Sequence, residues 1–187
     1  MDQNSNCIFG PKILQMAEVY LSLGSNDGDR LNSLVKATKL IGNLIGRIKK
    51  YSSVVESEPW GFSAEMTFYN TVLLIDTENT PNQVLIIALE IEASLGRVRH
   101  VKAYTNRSID IDILFYNEEI INDDNLVIPH PLMHKRKFVL QPLSEIAPGL
   151  IHPVLHSSIT ELLLSLNEPA PLSIAVEKRE FASLLNL

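Results

Sequence analysis

Cysteine is almost missing from this chain. Cys7 is the only one among 187 residues, so no disulfide can close within the chain and no cysteine-based zinc site can form in it. A reducing, cytoplasmic setting suits that usage. Positive charge is also in deficit: 16 Lys and Arg stand against 22 Asp and Glu, for a net charge of −6 and a pI of about 5.3. That balance argues against a general nucleic-acid or anionic-membrane binder, which needs a broad positive footprint. No apolar run approaches the roughly 20 residues that span a bilayer, and the first fifteen residues lack the apolar core of a signal peptide. The chain has no Gly-x-x-x-x-Gly-Lys-Ser/Thr loop and no protein-kinase catalytic-loop or Asp-Phe-Gly signature.

What the chain does have is 45% hydrophobic residues, enough for one domain with a sizeable core. Residues 1–15 read as an extension or leader before Met16, residues 16–166 as the domain, and residues 167–187 as a tail opening on the linker "NEPAPLS". Alternation of Val19, Leu21 and Leu23 up to Gly24 predicts a strand. Asn26 or Asp27 is expected to cap a helix carrying Leu31, Leu34, Val35, Thr38 and Ile41 and ended by Gly42. Strands are expected at about 47–57 and 67–77, separated by a loop bearing an exposed Trp60. Thr80, Pro81 and Gln83 spell a capping box with proline in the first turn, and Gly96 closes the helix they open. A strand over 107–116 completes a β-α-β-β-α-β order, which predicts an α+β, ferredoxin-like sandwich with both helices on one sheet face. "NEEIINDDNLVIPHP" reads as an added hairpin or edge strand, "KRKFVLQPLSEIA" as a helix interrupted by Pro142, and "SSITELLLSL" as a helix capped by Ser157 or Ser158.

The run "RSIDIDILFY" carries the chemistry. Period-two geometry puts Ile109, Ile111, Ile113 and Phe115 on one face and Ser108, Asp110, Asp112 and Leu114 on the other. The aspartate Cα atoms then lie roughly 7 Å apart, and their charges repel unless a cation lies between them. A half-exposed edge strand with a charged outer face is the plain alternative. Just upstream, residues 97–107 hold Arg97, Arg99, His100, Lys102 and Arg107 with no acid. Arginine forks suit phosphate, and paired aspartates suit Mg²⁺, which leaves most of its shell to phosphates and water. Together they describe a nucleotide polyphosphate–metal site, unless the arginines simply pair with the aspartates in a solvated network.

The motifs "YLSLGSN", "FYN", "IEASLGRVR", "RSIDIDILFY", "VIPHP" and "FVLQPLSEIAP", in that order over about residues 18–165, resemble the 6-hydroxymethyl-7,8-dihydropterin pyrophosphokinase family. The resemblance implies transfer of diphosphate from ATP to a pterin hydroxymethyl group, with release of AMP, in folate biosynthesis. It makes Asp110 and Asp112 ligands of two Mg²⁺ ions and matches Arg97 and Arg107 to arginines that engage the triphosphate and help turnover. Glu92, Arg99, Tyr104, Ile113, His130 and Arg136 match the nucleotide side. Helical spacing alone would make Glu92 a partly exposed flank residue. Phe68 and Phe138 match two rings that sandwich the pterin, Asn70 the amide that reads its edge, and Ser57 and Trp60 the pocket lining. Taken singly, each aromatic reads as core packing and His130 as a rigid-turn residue. The segment Ala103-Tyr104-Thr105-Asn106-Arg107 departs from the family's Arg-Trp-Gly-Pro-Arg, which puts the loop's shape and its ATP contacts in question.

The reaction so implied is in-line attack of the hydroxymethyl oxygen on the β-phosphorus, governed by positioning and charge neutralisation. Asp112 would accept the hydroxyl proton, or no side chain would act as base. The basic loop 97–107 is expected to order over the triphosphate. ATP and the pterin are the partners expected, with no nucleic acid or membrane, and a monomer or alternatively a dimer. Two other readings are an RNA-recognition module, which the acidic sheet face opposes, and a regulatory domain that binds pterin or nucleotide without chemistry.

Overall fold

A computed structural model describes residues 16–61, 66–97, 107–166 and 172–186. Its elements run β1 (Ala17–Ser25), α1 (Arg30–Leu44), β2 (Arg47–Tyr51), β3 (Val54–Ser57), β4 (Phe68–Thr77), α2 (Pro81–Ser94) and β5 (Asp110–Tyr116). A two-stranded hairpin, β6 (Ile121–Asn122) and β7 (Val127–Ile128), follows, then a 3₁₀ turn at Met133–Lys135 and helices α3 (Lys137–Ile146) and α4 (Ile159–Ser165). Beyond residue 171 the chain adds β8 (Ser173–Val176) and α5 (Lys178–Leu185). The main sheet has the order β5-β1-β4-β3-β8, with β2 also beside β4, and its pairings are antiparallel. This is an α+β fold. No described helix is long and apolar enough to cross a membrane.

Local chemistry explains most element ends. The Thr80–Gln83 capping box forms as expected, as does one between Ser158 and Glu161 at α4, and Gly96 takes φ +90° after α2. Helix α1 differs from expectation at both ends. Its cap is Asp29, whose carboxylate accepts the Asn32 N–H at 3.1 Å, because Asn26 is occupied elsewhere. It also runs through Gly42 to Leu44, since Ile41 and Ile45, both buried, extend the apolar stripe another turn. The chain then turns at Gly46, where an added Cβ would stand 2.1 Å from the Asp76 carbonyl oxygen. The single strand expected over 47–57 is two strands. At the break, Ser52 Oγ accepts the Val72 N–H at 2.9 Å and Glu145 accepts the Ser53 N–H at 2.9 Å, so side chains take over part of the ladder.

Two apolar layers flank the sheet. On one side Leu34, Ala37 and Ile41 of α1, Val84, Ala88 and Ile91 of α2, and Phe181 and Leu185 of α5 pack on Val19, Leu21, Leu23, Leu73, Ile75, Ile109, Ile111 and Ile113. The second side, expected to be open, is half covered: Val139, Leu140 and Leu143 of α3 and Ile159 and Leu162 of α4 cover Tyr20, Val72, Leu74, Leu114 and Phe115. A register shift beside Tyr20 and Leu21 sends Phe115 to this second layer, against the strict alternation expected for β5, and turns Tyr116 back to the first. Upstream of the shift Asp110 and Asp112 keep the predicted face. They lie at the end of the sheet that α3 leaves uncovered.

Candidate active site

In cross-strand register, Gly24 lies opposite Asp110 and Ser22 opposite Asp112. Both carboxylates therefore rise from the sheet beside the small residues of β1. Asp110 accepts from Arg97 at 2.5 Å and from Arg107. Arg97 also pairs with Glu92, which is 1% exposed and accepts the Ile111 N–H at 2.8 Å. Helical periodicity assigned Glu92 to a partly exposed flank; its burial comes from closing the first rung of β5 and holding Arg97 at once. Asp112 faces Arg136 at 3.5 Å and His130 Nε2 at 3.8 Å. Three guanidiniums thus meet three carboxylates, so the paired Arg–Asp network considered from sequence is present.

Charge and burial divide the roles of these groups. The Asp112 carboxyl is pushed up to about 7, first by loss of water at the foot of the cleft and then by the neighbouring Asp110 charge, with Arg136 opposing. Its side chain is nevertheless 35% exposed against 20% for Asp110, so a ligand can reach it. His130 is lowered to about 4 by burial, with Arg136 adding to the effect. It is neutral at physiological pH, and its Nδ1 accepts the Leu132 N–H at 3.2 Å, which places the ring proton on Nε2 facing Asp112.

Two clefts open from this centre. One, a narrow slot, is lined by Ser57, Trp60, Phe68, Asn70 and Phe138 and by Ser22 and Gly24 beneath them. Within it Asn70 Nδ2 donates to Ser57 Oγ at 2.9 Å, and the amide oxygen lies above Gly24, where a Cβ would come within 3.0 Å of it. Trp60 is 43% exposed, with the Arg136 guanidinium 5.2 Å from its ring centre and 5.8 Å from that of Phe138. The other cleft, wider and more open, runs between α2 and the β6–β7 hairpin and is lined by Glu92, Arg97, Ile113, His130 and Leu126 among others. Arg107, Asp110, Asp112 and Arg136 line both.

Sequence-predicted site residues thus gather around one carboxylate pair, with Ile113 largely in the core and touching the wide cleft. Arg99, Tyr104 and the expected ordering of the basic loop fall on residues 98–106, outside the described residues. Asn26 was missed as a site residue. It is fully buried, its Oδ1 accepts the Arg107 N–H at 2.7 Å, and its own N–H donates to the Arg107 carbonyl at 3.1 Å. A polar residue just after a strand had read as a helix cap, and only the fold reveals its partner 81 residues away. Ser22 and Gly24 were missed as well, although their small size in an otherwise bulky strand was a legible signal.

Fold and site together define a two-substrate group-transfer enzyme with a centre of matched arginines and carboxylates. A family model described as 7,8-dihydro-6-hydroxymethylpterin-pyrophosphokinase (HPPK) matches residues 20–148. The 2-amino-4-hydroxy-6-hydroxymethyldihydropteridine pyrophosphokinase of Aquifex aeolicus is 41% identical over 146 residues, 78% of this chain and 90% of that protein. Its counterpart in Porphyromonas gingivalis is 43% identical over 141 residues, 74% of this chain and 95% of that protein. The folic acid synthesis protein FOL1 of Dictyostelium discoideum is 41% identical over 79% of this chain, which spans only 22% of that longer protein. Plasmodium falciparum HPPK-DHPS, solved with pteroate, superposes with a TM-score of 0.68 at 18% identity, over 81% of this chain and 44% of that one, and is similar in fold. The chain belongs to the 7,8-dihydro-6-hydroxymethylpterin-pyrophosphokinase family. It is an ATP-dependent diphosphotransferase of folate biosynthesis.

Proposed function

We propose that the narrow cleft takes 6-hydroxymethyl-7,8-dihydropterin, that the wide cleft takes ATP, and that diphosphate passes between them beside Asp110 and Asp112. The observation carrying this reading is the geometry of the junction: the two clefts share one carboxylate pair and two arginines. A flat, nitrogen-rich bicycle suits a slot with Phe68 and Phe138 on its walls and the Asn70 amide at its edge. Nucleotide phosphates suit the arginine-lined side. Arg136 supports this, since its Nε is buried with no hydrogen-bond partner among the described residues.

Two carboxylates on one sheet face fit Mg²⁺, which takes few protein ligands. Among the described residues no group of three or more His, Cys, Asp or Glu side chains is placed to hold a metal ion, so Asp110 and Asp112 would be the protein's ligands. They would hold two Mg²⁺ ions, whose contribution would be neutralisation of phosphate charge. Arg97, Arg107 and Arg136 would then turn from carboxylate to phosphate oxygens and fix the triphosphate for in-line attack. The His130 Nε2–H would add a neutral donor. Asp112, a carboxylate lining the narrow cleft, would receive the proton of the hydroxymethyl group. The sheet order is read as ferredoxin-like, and the enzyme as a cytoplasmic monomer.

Phosphorus NMR of the protein with Mg²⁺, ATP and the pterin tests the reaction. AMP and a pterin diphosphate are expected. ADP with a pterin monophosphate, or no pterin-dependent turnover, would overturn the assignment.

A further inference from the structure

Arg30 is the first residue of α1, where the helix dipole presents its positive end and a cation is disfavoured. Its contacts lie elsewhere. Nη1 donates to the Thr67 carbonyl at 2.9 Å, to Thr67 Oγ1 at 2.6 Å and to Glu56 Oε1 at 3.1 Å, while the guanidinium lies 3.8 Å from the Tyr69 ring centre. Thr67 Oγ1 also donates to Glu56 Oε1 at 2.5 Å. The Thr67 hydroxyl, followed by Arg30, holds the Glu56 carboxyl below its usual range against the opposing effect of burial.

The location of this cluster gives it a meaning beyond a surface ion pair. Glu56 and Tyr69 form one rung between β3 and β4, and the next rung is Ser57 with Phe68, both of which line the narrow cleft. Successive strand residues point to opposite faces, so Arg30 braces the rung directly behind the pocket wall. It ties together both strands from which the Trp60 segment departs. The Arg30 side chain is 17% exposed, so its fork is largely shielded from competing water. Lysine carries three donors on one nitrogen and can reach the same oxygens, but it has no planar guanidinium to lie against the Tyr69 ring.

We propose that Arg30 is a positioning residue for the pterin: it sets the spacing of Ser57 and Phe68, and so the selectivity of the narrow cleft, without touching substrate. This rests on the assignment of that cleft to the pterin. Calorimetric binding of the pterin and of Mg-ATP to Arg30→Met, Arg30→Lys, Thr67→Val and Asn70→Ala separates the two claims. Arg30→Met is expected to weaken pterin binding about tenfold while changing ATP binding less than about twofold. Arg30→Lys should fall between it and the parent. Thr67→Val should shift the pterin constant in the same direction, and the Arg30→Met/Thr67→Val double variant should cost less than the sum of the two. If Asn70→Ala leaves pterin binding unchanged, the pocket assignment fails. If Asn70→Ala weakens it while Arg30→Met and Arg30→Lys do not, or if either Arg30 variant weakens both ligands equally, the positioning role is overturned and Arg30 is purely structural. Should Arg30→Met not fold, the result for Arg30→Lys decides.

Discussion

Asn26 and Arg107 hold one another through two hydrogen bonds, the Asn26 amide oxygen receiving the Arg107 N–H at 2.7 Å and the Arg107 carbonyl receiving the Asn26 N–H at 3.1 Å. Beside them Ser25 Oγ donates to the Ser108 carbonyl at 2.7 Å. The backbone of Arg107 is therefore fixed by the end of β1, and its guanidinium starts from a defined point three residues from Asp110.

Arg107→Ala is accordingly expected to lower kcat by about a hundredfold or more with little change in the ATP dissociation constant, as for a contact realised mainly in the transition state. Asn26→Ala should show a smaller loss in the same parameter. Rapid-quench turnover together with equilibrium ATP binding checks both. A rise in KM alone would show that Arg107 serves uniform binding.

Asp110→Asn and Asp112→Asn should each cut turnover by at least about a hundredfold at limiting Mg²⁺. Neither carboxylate points into the apolar layers, so the fold should persist. The two variants should differ in one respect: Asp110→Asn strips a charged partner from Arg97 and Arg107 together, whereas Asp112→Asn affects the longer contact to Arg136. Thermal melts should show the larger drop for Asp110→Asn. Near-normal activity of either variant would exclude its carboxylate as a metal ligand.

Phe138→Ala should weaken pterin binding with ATP binding nearly unaffected, since a stacked aromatic is worth about 0.5–1.5 kcal/mol beyond the area it buries. Gly24→Ala offers a subtler probe of the same wall. The new methyl would press on the Asn70 amide at 3.0 Å, and the pterin constant should rise without any polar group being removed. Titration calorimetry with each ligand in turn distinguishes this from a packing defect, which would depress both affinities.

His152 gives a pH dependence remote from the site. It is buried against Phe115, and its Nδ1 accepts the Val154 and Leu155 N–H groups at 3.3 and 3.2 Å. Burial, followed by the nearby His134, lowers its pKa from 6.5. The folded state favours the neutral ring, so this contribution to stability is complete above pH 6.5 and declines as the pH falls from 6.5 toward the lowered folded value. His152→Ala should cost about 1–3 kcal/mol at pH 8 through its unpaired donors, and its melting temperature should fall less than the parent's on going to pH 5.5. Parallel slopes in the two melting series would remove His152 from the acid response.

The shared face of Asp110 and Asp112 and the capping box at Thr80 were legible as local patterns, whereas Phe68 and Phe138 are far apart in the chain, each reads singly as core packing, and only the family resemblance grouped them with Trp60. Asn26 was not, because a buried amide after a strand looks the same whether it caps a helix or clamps a distant backbone. Glu92 was misplaced for a related reason: periodicity reports which face is apolar, and a carboxylate buried by an arginine and a strand N–H has no periodic signature. The covering of the second sheet face by α3 and α4 depends on long-range packing of two helices, and Pro142 in the first of them obscured its length. Phe115 departed from alternation because one extra residue in β5 cannot be counted without its partner strand.

That extra residue divides β5 into two halves of different register against β1. Ahead of it the strand presents acids to substrate; after it, the same edge presents Leu114 and Phe115 to the second apolar layer. A strand in strict alternation would transmit any slip at its greasy end to the aspartates as a change of face. Here the irregularity falls at Leu114, beyond Asp112, so Asp110 and Asp112 keep the pairing with Gly24 and Ser22 that sets both carboxylates on one face.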